Sequence, residues 1–280
     1  MVLPARTTPF AAATLALFAC GPEDLDAASS YEQLARDCPL EAADGGAPVA
    51  GYGVSQPITA TCATTVGRLF RFDWDSFGES PRAFADPVTP AEVVIAGVVI
   101  ASGVQGRTVA DITAKGAPAD LRLWLRQSAG RAGGADDDDA GATWFEFVSA
   151  ALHEVQYTGS DGYLMSYHDK SANVGSLGAT DDEPWVHVSA ISVASTLVHE
   201  AAHDHYGSHL TDCLVGSNYV PCDYTEDGAV GAGAWWTWNW LAGNGSRLEW
   251  QSESSLNSEV EFDCARIVDP TGFPPCTDTP

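Results

Sequence analysis

Four of the seven histidines in this chain of 280 residues fall within eleven positions, from 199 to 209. Residues four apart lie on one face of a helix, so His199 and His203 can reach the same metal ion. Glu200 directly follows His199 in the sequence and can accept a proton from a water molecule bound to the metal. His205 lies about 200° further around such a helix than His203 and should point away. The His-Glu-x-x-His pattern predicts a helical zinc site with His199, Glu200 and His203 in these roles.

The helix that carries this motif is expected to run from near Ser189 to Tyr206 and Gly207. Gly207 can adopt the left-handed conformation that ends a helix, and the chain can then return toward the metal. His209, two residues later, is the favoured third ligand. A carboxylate is the alternative, and the sequence offers Glu226 on a downstream helix as well as Asp212 and Asp223.

The segment HEAAHDHYGSH resembles the metzincin motif H-E-x-x-H-x-x-G-x-x-H of zinc peptidases. Two features depart from that family. Gly207 lies one place later than the family glycine, and there is no methionine downstream for a Met-turn, because the only methionines are Met1 and Met165. The stretch from His199 to Leu241 is also similar to a little-characterised group of secreted zincin-like bacterial proteins.

The resemblance implies an α+β, zincin-like fold with a small mixed sheet, an active-site helix and a largely helical C-terminal half. It also implies a zinc metallopeptidase that holds Zn²⁺ through His199, His203 and His209 and cleaves a peptide or protein substrate. A binding module that keeps the fold and the zinc without catalysis is the alternative. Glu200 favours the enzyme, because a structural zinc site needs no base beside its ligands. Tyr206, Tyr219 and Tyr224 are candidate oxyanion donors.

The first twenty residues predict export. Arg6 precedes a short apolar run, and the segment that ends at Cys20 resembles the lipobox of bacterial lipoproteins, which implies cleavage before Cys20 and lipid on its thiol. Residues 1–19 are then a signal peptide, 20–30 a tether, and 31–280 one domain with a catalytic core over about 140–245. We expect a protein bound to the bacterial envelope only through this lipid, or otherwise secreted, and the sequence leaves its oligomeric state open.

The charge and the cysteines agree with an exported protein. A formal net charge of −25 argues against nucleic acid as a partner. Without Cys20, six cysteines remain, an even number that predicts disulfides in an oxidising compartment. The sequence allows 15 connectivities. Pairing of nearest neighbours gives Cys38–Cys62, Cys213–Cys222 and Cys264–Cys276.

Other segments give local predictions. An acidic loop is expected at Asp136–Asp139, and a strand that could line a substrate cleft at Pro184–Ser189. The run Ile58–Phe72, rich in Thr, Val and Phe, predicts a strand or hairpin. Helices are predicted over Tyr31–Cys38, Pro118–Ser128 and Trp144–Tyr157, through the Trp-rich stretch 235–241 and within 247–268, before a tail at 269–280. A helix is also favoured from Pro90 onward, although the β-branched run after it equally fits a buried strand.

Overall fold

The structure is a computed structural model. It describes residues 27–38, 58–81, 90–102, 117–131, 140–152, 154–157, 165–168, 171–174, 190–207, 209, 211–244 and 260–277. The predicted signal peptide, Cys20, the loop predicted at Asp136–Asp139 and the strand predicted at Pro184–Ser189 all lie outside these residues.

The described chain is a mixed α and β structure in which helices predominate. The helices are α1 (Ala27–Asp37), α2 (Ala60–Leu69), α3 (Pro90–Ala101), α4 (Ala119–Arg131), α5 (Ala140–Ala151), α6 (Ala190–Tyr206), α7 (Ala229–Asn244) and α8 (Pro274–Thr277). The strands are β1 (Glu154–Tyr157), β2 (Met165–His168), β3 (Ser171–Val174), β4 (Thr211–Val215) and β5 (Asn218–Cys222). A further short helix occupies 260–265.

Helix α6 packs against α3 along one flank and against α7 along another. Every described side chain of α3 from residue 91 to 101 is buried, as expected of a helix that is apolar all round. The helix prediction from Pro90 is therefore confirmed. Gly97 lets α3 approach α6 closely, because a Cβ atom there would lie 2.4 Å from Cγ1 of Val193. This packing fixes α6 within the core of the described chain.

The strand or hairpin predicted for Ile58–Phe72 is wrong, because most of this run forms α2. Thr59 caps the helix, and its hydroxyl oxygen accepts a hydrogen bond from the backbone N–H of Cys62 at 3.1 Å. The buried residues Cys62, Ala63, Thr65 and Val66 follow helical spacing. The cap and this periodicity outweigh the β-branched composition that suggested a strand.

The helix predicted for Trp144–Tyr157 is correct only as far as Ala151. Glu154–Tyr157 instead forms β1, which pairs in parallel with β3, while β2 pairs with β3 in antiparallel fashion. The resulting sheet is mixed and has the order β1-β3-β2. Val155 extends the apolar stripe of the helix in the sequence, but its fully buried side chain belongs to a strand. Pairing with a distant segment decided the conformation here.

Two features of the C-terminal half differ from the predictions. The antiparallel hairpin β4–β5 occupies Thr211–Cys222, where no strand was predicted. The expected tail at 269–280 contains α8, and Phe273 just before it is buried with a ring centroid 6.2 Å from that of Trp235 on α7. We refer to 260–277 as the C-terminal segment. It packs onto α7 rather than trailing from the body.

Three disulfides join the cysteines as predicted, at Cys38–Cys62, Cys213–Cys222 and Cys264–Cys276. The first links α1 to α2, the second closes the β4–β5 hairpin, and the third lies within the C-terminal segment. Disulfides of this kind are consistent with an extracellular location. Among the described residues, no helix has the length and apolar character needed to cross a membrane.

Candidate metal centre

Helix α6 carries the predicted motif where the sequence places it, from Ala190 to Tyr206. Its described apolar side chains, including Val193, Leu197 and Val198, are fully buried against its neighbours. Gly207 follows with φ of 85°, and its N–H donates to the carbonyl of His203 at 2.8 Å. A left-handed glycine ends the helix here, as predicted.

The three histidines predicted as ligands lie together. One ring nitrogen of each of His199, His203 and His209 falls within 4.8 Å of those of the other two. The Nε2 atoms of His199 and His203 are 3.2 Å apart. Two nitrogen ligands of one tetrahedral zinc ion are separated by about 3.3 Å, given Zn–N bonds of about 2.0–2.1 Å. The spacing of this pair therefore fits a metal ion.

Each of the three rings also has a hydrogen-bond partner outside the cluster. Nδ1 of His203 donates to the carbonyl of Gly207, and Nδ1 of His209 donates to Oδ1 of Asp223 at 2.9 Å. His199 forms a hydrogen bond with the backbone of Ala229. A ring whose Nδ1 carries the proton for such a bond leaves Nε2 free to bind a metal, which is the usual arrangement of metal-binding histidines.

Burial favours the neutral imidazoles that metals require. It lowers the pKa of His199 well below its usual value, and the charge of His203 adds to the effect. The pKa of His203 is also lowered, again chiefly by burial, although its bond to Gly207 opposes the shift. Three imidazoles with partners that orient them form a donor set that fits a zinc ion and leaves a fourth position for water or substrate.

Glu200 directly follows His199 on α6 and is buried, with 6% of its surface exposed. Burial raises the pKa of its carboxyl group to about 7, and the nearby positive charge of Arg266 partly opposes that shift. A carboxyl group with a pKa near neutrality can both accept and return a proton at neutral pH. Its position and its pKa suit the general base predicted from the sequence.

The residues that the sequence offered as other possible ligands do not belong to the group formed by the three histidines. Asp223 reaches the site, but as the hydrogen-bond partner of His209. Asp212 is exposed on β4, and neither it nor Glu226 belongs to the described group of potential ligands. The ring of His205 packs against the rings of Trp124 and Phe147, with centroid distances of 5.2 and 5.6 Å. The prediction that His205 points away from the metal site is confirmed.

Arg266 is a site residue that the sequence did not indicate. Its charge lowers the pKa of Glu200, His199 and His203, so all three lie within its electrostatic reach. Its guanidinium is held by the carbonyl of Pro221, which accepts from Nε at 3.0 Å. Arg266 lies 57 positions after His209, and no motif joins the two positions.

The tyrosines predicted as oxyanion donors are exposed where the structure describes their side chains. Tyr219 is 79% exposed on the β4–β5 hairpin, and Tyr224 is 54% exposed. The side chain of Tyr206 lies outside the described part of the structure. The roles assigned to these tyrosines stay predictions.

Comparison of the chain with protein-family models, with curated proteins and with solved structures finds no match. The likeness to zincins therefore stays a prediction that rests on the motif from His199 to His209.

Proposed function

We propose that this protein is a zinc-dependent hydrolase that acts outside the cytoplasm, and that it is a metallopeptidase. The observation that carries the proposal is the convergence of three imidazoles with a buried carboxyl group next to them. His199, His203 and His209 would hold the zinc ion, and Glu200 is the base. A site of purely structural zinc has four protein ligands, whereas three ligands and an adjacent carboxylate are typical of catalytic zinc.

The reaction follows from these residues. A bound zinc ion would supply a Lewis acid that polarises the scissile carbonyl and lowers the pKa of water. Glu200 accepts the proton of the attacking water and delivers it to the nitrogen of the leaving amine, so one residue serves as base and then as acid. Burial of Glu200 keeps bulk water from competing for that proton.

The location and the substrate class are part of the proposal. The resemblance of residues 17–20 to a lipobox supports a lipid on Cys20 and attachment to the bacterial envelope, and the disulfides agree with an oxidising compartment. Labelling with a radioactive fatty acid should mark the wild-type protein and leave the Cys20→Ser variant unmarked. Equal labelling of both would remove the lipid anchor from the proposal.

The function is tested by metal analysis together with digestion of a peptide library by the purified mature protein. We expect one zinc ion per chain and cleavage of internal or terminal peptide bonds. The Glu200→Gln variant should retain zinc and lose about 10²–10⁴-fold in rate, the usual contribution of a general base. Glu226→Gln is the matched control, since Glu226 lies outside the described group of ligands.

Two outcomes would contradict the proposal. Full activity of Glu200→Gln would exclude this mechanism. Bound zinc without cleavage of any peptide in the library would instead favour a zinc-binding module that does not catalyse hydrolysis.

A further inference from the structure

The third imidazole lacks the support that the other two receive. His199 and His203 are held by α6, whereas His209 follows the end of that helix and belongs to no described helix or strand. A side chain at such a position needs a specific contact to keep one orientation, because free rotation would cost conformational entropy on metal binding. The contact that His209 makes is therefore central to the metal site.

Asp223 provides this contact. Its side chain is completely buried, and its two oxygens have separate partners: Oδ1 accepts from Nδ1 of His209 at 2.9 Å, and Oδ2 accepts from the backbone N–H of Val230 at 3.0 Å. Gly228 leaves the space for it, because a Cβ atom there would lie 2.4 Å from Oδ2. Val230 is in the first turn of α7, where a carboxylate also interacts favourably with the helix dipole. Asp223 therefore joins His209 to α7.

The backbone of Asp223 is held from a different direction, by the C-terminal segment. Its N–H donates to the carbonyl of Arg266 at 3.0 Å, and its carbonyl accepts from the N–H of Val268 at 2.9 Å. These bonds form a bridge of the parallel β type to Ile267. The Cys264–Cys276 disulfide closes the segment, and buried Phe273 attaches it to α7. The position of Asp223 thus depends on residues more than forty positions away in the sequence.

We propose that Asp223 is the positioning residue for His209, and that docking of the C-terminal segment onto Asp223 sets the metal affinity of the site. Asp223 keeps the proton of His209 on Nδ1 and aims Nε2 at the other two imidazoles. It is not part of the described group of potential ligands, and both of its oxygens accept hydrogen bonds from the protein. This inference rests on the metal-binding part of the proposed function and does not depend on peptide hydrolysis.

The first test is zinc titration against a competing chelator. Asp223→Ala should bind zinc about 10–100-fold more weakly than the wild type, the usual effect of removing the hydrogen-bond partner of a metal-binding histidine. Asp223→Asn should lose less, because the amide oxygen can still accept from Nδ1. Asp212→Ala is the matched control, with a carboxylate removed from exposed β4 nearby, and should bind zinc as the wild type does.

The second test uses the metal-free protein. Nitrogen-15 NMR of the histidine rings should show the proton of His209 on Nδ1 in the wild type and in Asp223→Asn, and a mixture of tautomers in Asp223→Ala. A folded Asp223→Ala variant with wild-type zinc affinity and an unchanged His209 tautomer would overturn the proposal. If Asp223→Ala does not fold, the zinc affinities of Asp223→Asn and of the disulfide variants decide whether the proposal holds.

Two of the disulfides allow a matched pair of variants that tests the role of the C-terminal segment. Replacing Cys264 and Cys276 by serine should weaken zinc binding at least several-fold while the protein stays folded. Replacing Cys38 and Cys62, which join α1 to α2, should lower the melting temperature and leave zinc affinity unchanged. Equal effects of the two pairs on zinc affinity would contradict the role of the segment. Zinc binding as described but no peptide cleavage would contradict only the proposed function.

Discussion

Helices α3 and α7 both pack along α6, but their contacts with it differ in kind. The α3 flank is apolar and tight, with Gly97 against Val193. The α7 flank is polar where it meets the site. Thr237 donates a hydrogen bond to the Ser195 hydroxyl at 2.7 Å, and the backbone of Ala229 forms a hydrogen bond with His199. One flank therefore holds the helix in the core, and the other orients side chains near the histidine cluster. Stability and metal binding should be separable by mutation.

The largest effect is expected from a substitution that weakens metal binding and leaves folding nearly unchanged. The His209→Ala variant should lose more than about 100-fold in zinc affinity. This substitution removes a predicted ligand, whereas Asp223→Ala removes only the hydrogen-bond partner of that ligand. The melting temperature of its metal-free form should stay close to that of the wild type, since the α3 flank is untouched. Zinc titration and thermal unfolding measure the two quantities.

Glu226→Ala serves as the control for the third ligand and should bind zinc normally. If Glu226→Ala lost the metal and His209→Ala retained it, the site would use a carboxylate ligand and the cluster of three histidines would not be the metal site.

The second-largest effect is a loss of stability, expected from a substitution on the α3 flank alone. In the Gly97→Ala variant a methyl group would meet Cγ1 and Cβ of Val193 at 2.4 and 2.7 Å, so the two helices must move apart. Overpacking of this kind costs about 1–3 kcal/mol, reduced by the better helix propensity of Ala. Denaturant unfolding should show this loss, and zinc affinity should change by less than about twofold, far below the 10–100-fold of a lost ligand partner. A parallel loss of zinc affinity would break the distinction between the flanks.

A smaller effect is expected on the α7 flank from Thr237→Val. The substitution keeps the shape of the side chain but removes a buried hydrogen bond, which costs about 1–2 kcal/mol. Ser195 is one turn before His199, so zinc affinity should fall slightly as well. The double variant with Ser195→Ala should be less destabilised than the sum of the single variants, as expected for two residues in direct contact.

The smallest effect is predicted for Gly233→Ala, also on the α7 flank. Its Cβ atom would lie 3.4 Å from Cβ of His199, an ordinary contact. Stability should change by no more than about 0.5 kcal/mol, because the gain in helix propensity offsets the closer packing. Loss of several kcal/mol in denaturant unfolding would show that α7 packs as tightly as α3 does.

The parts of the site that were predictable from the sequence are those set by local geometry. His199, Glu200 and His203 follow from the spacing of a helix, and His209 follows from a glycine that ends it. The exclusion of His205 follows from the same geometry. These predictions need only the rotation per residue, and no knowledge of where other segments lie.

The parts that could not be predicted depend on contacts between distant segments. Asp223 was considered only as a ligand, because nothing in the sequence places its carboxylate against His209 and the N–H of Val230. Strand β1 was taken for the end of a helix, because its pairing with β3 leaves no local signal. The error at Ile58–Phe72 differs, since the strand was predicted from composition, whereas Thr59 is a cap residue that the sequence itself contains.

The close approaches at Gly97, Gly228 and Gly231 imply a signature for relatives of this protein. A Cβ atom at Gly231 would lie 1.9 Å from the carbonyl oxygen of Glu226, and those at the other two positions would lie 2.4 Å from their neighbours. The apolar residues of α3 can exchange among Val, Ile and Leu with little change in volume. Sequences that share this architecture should therefore keep these three glycines together with the histidine motif, even where the rest of the chain has diverged.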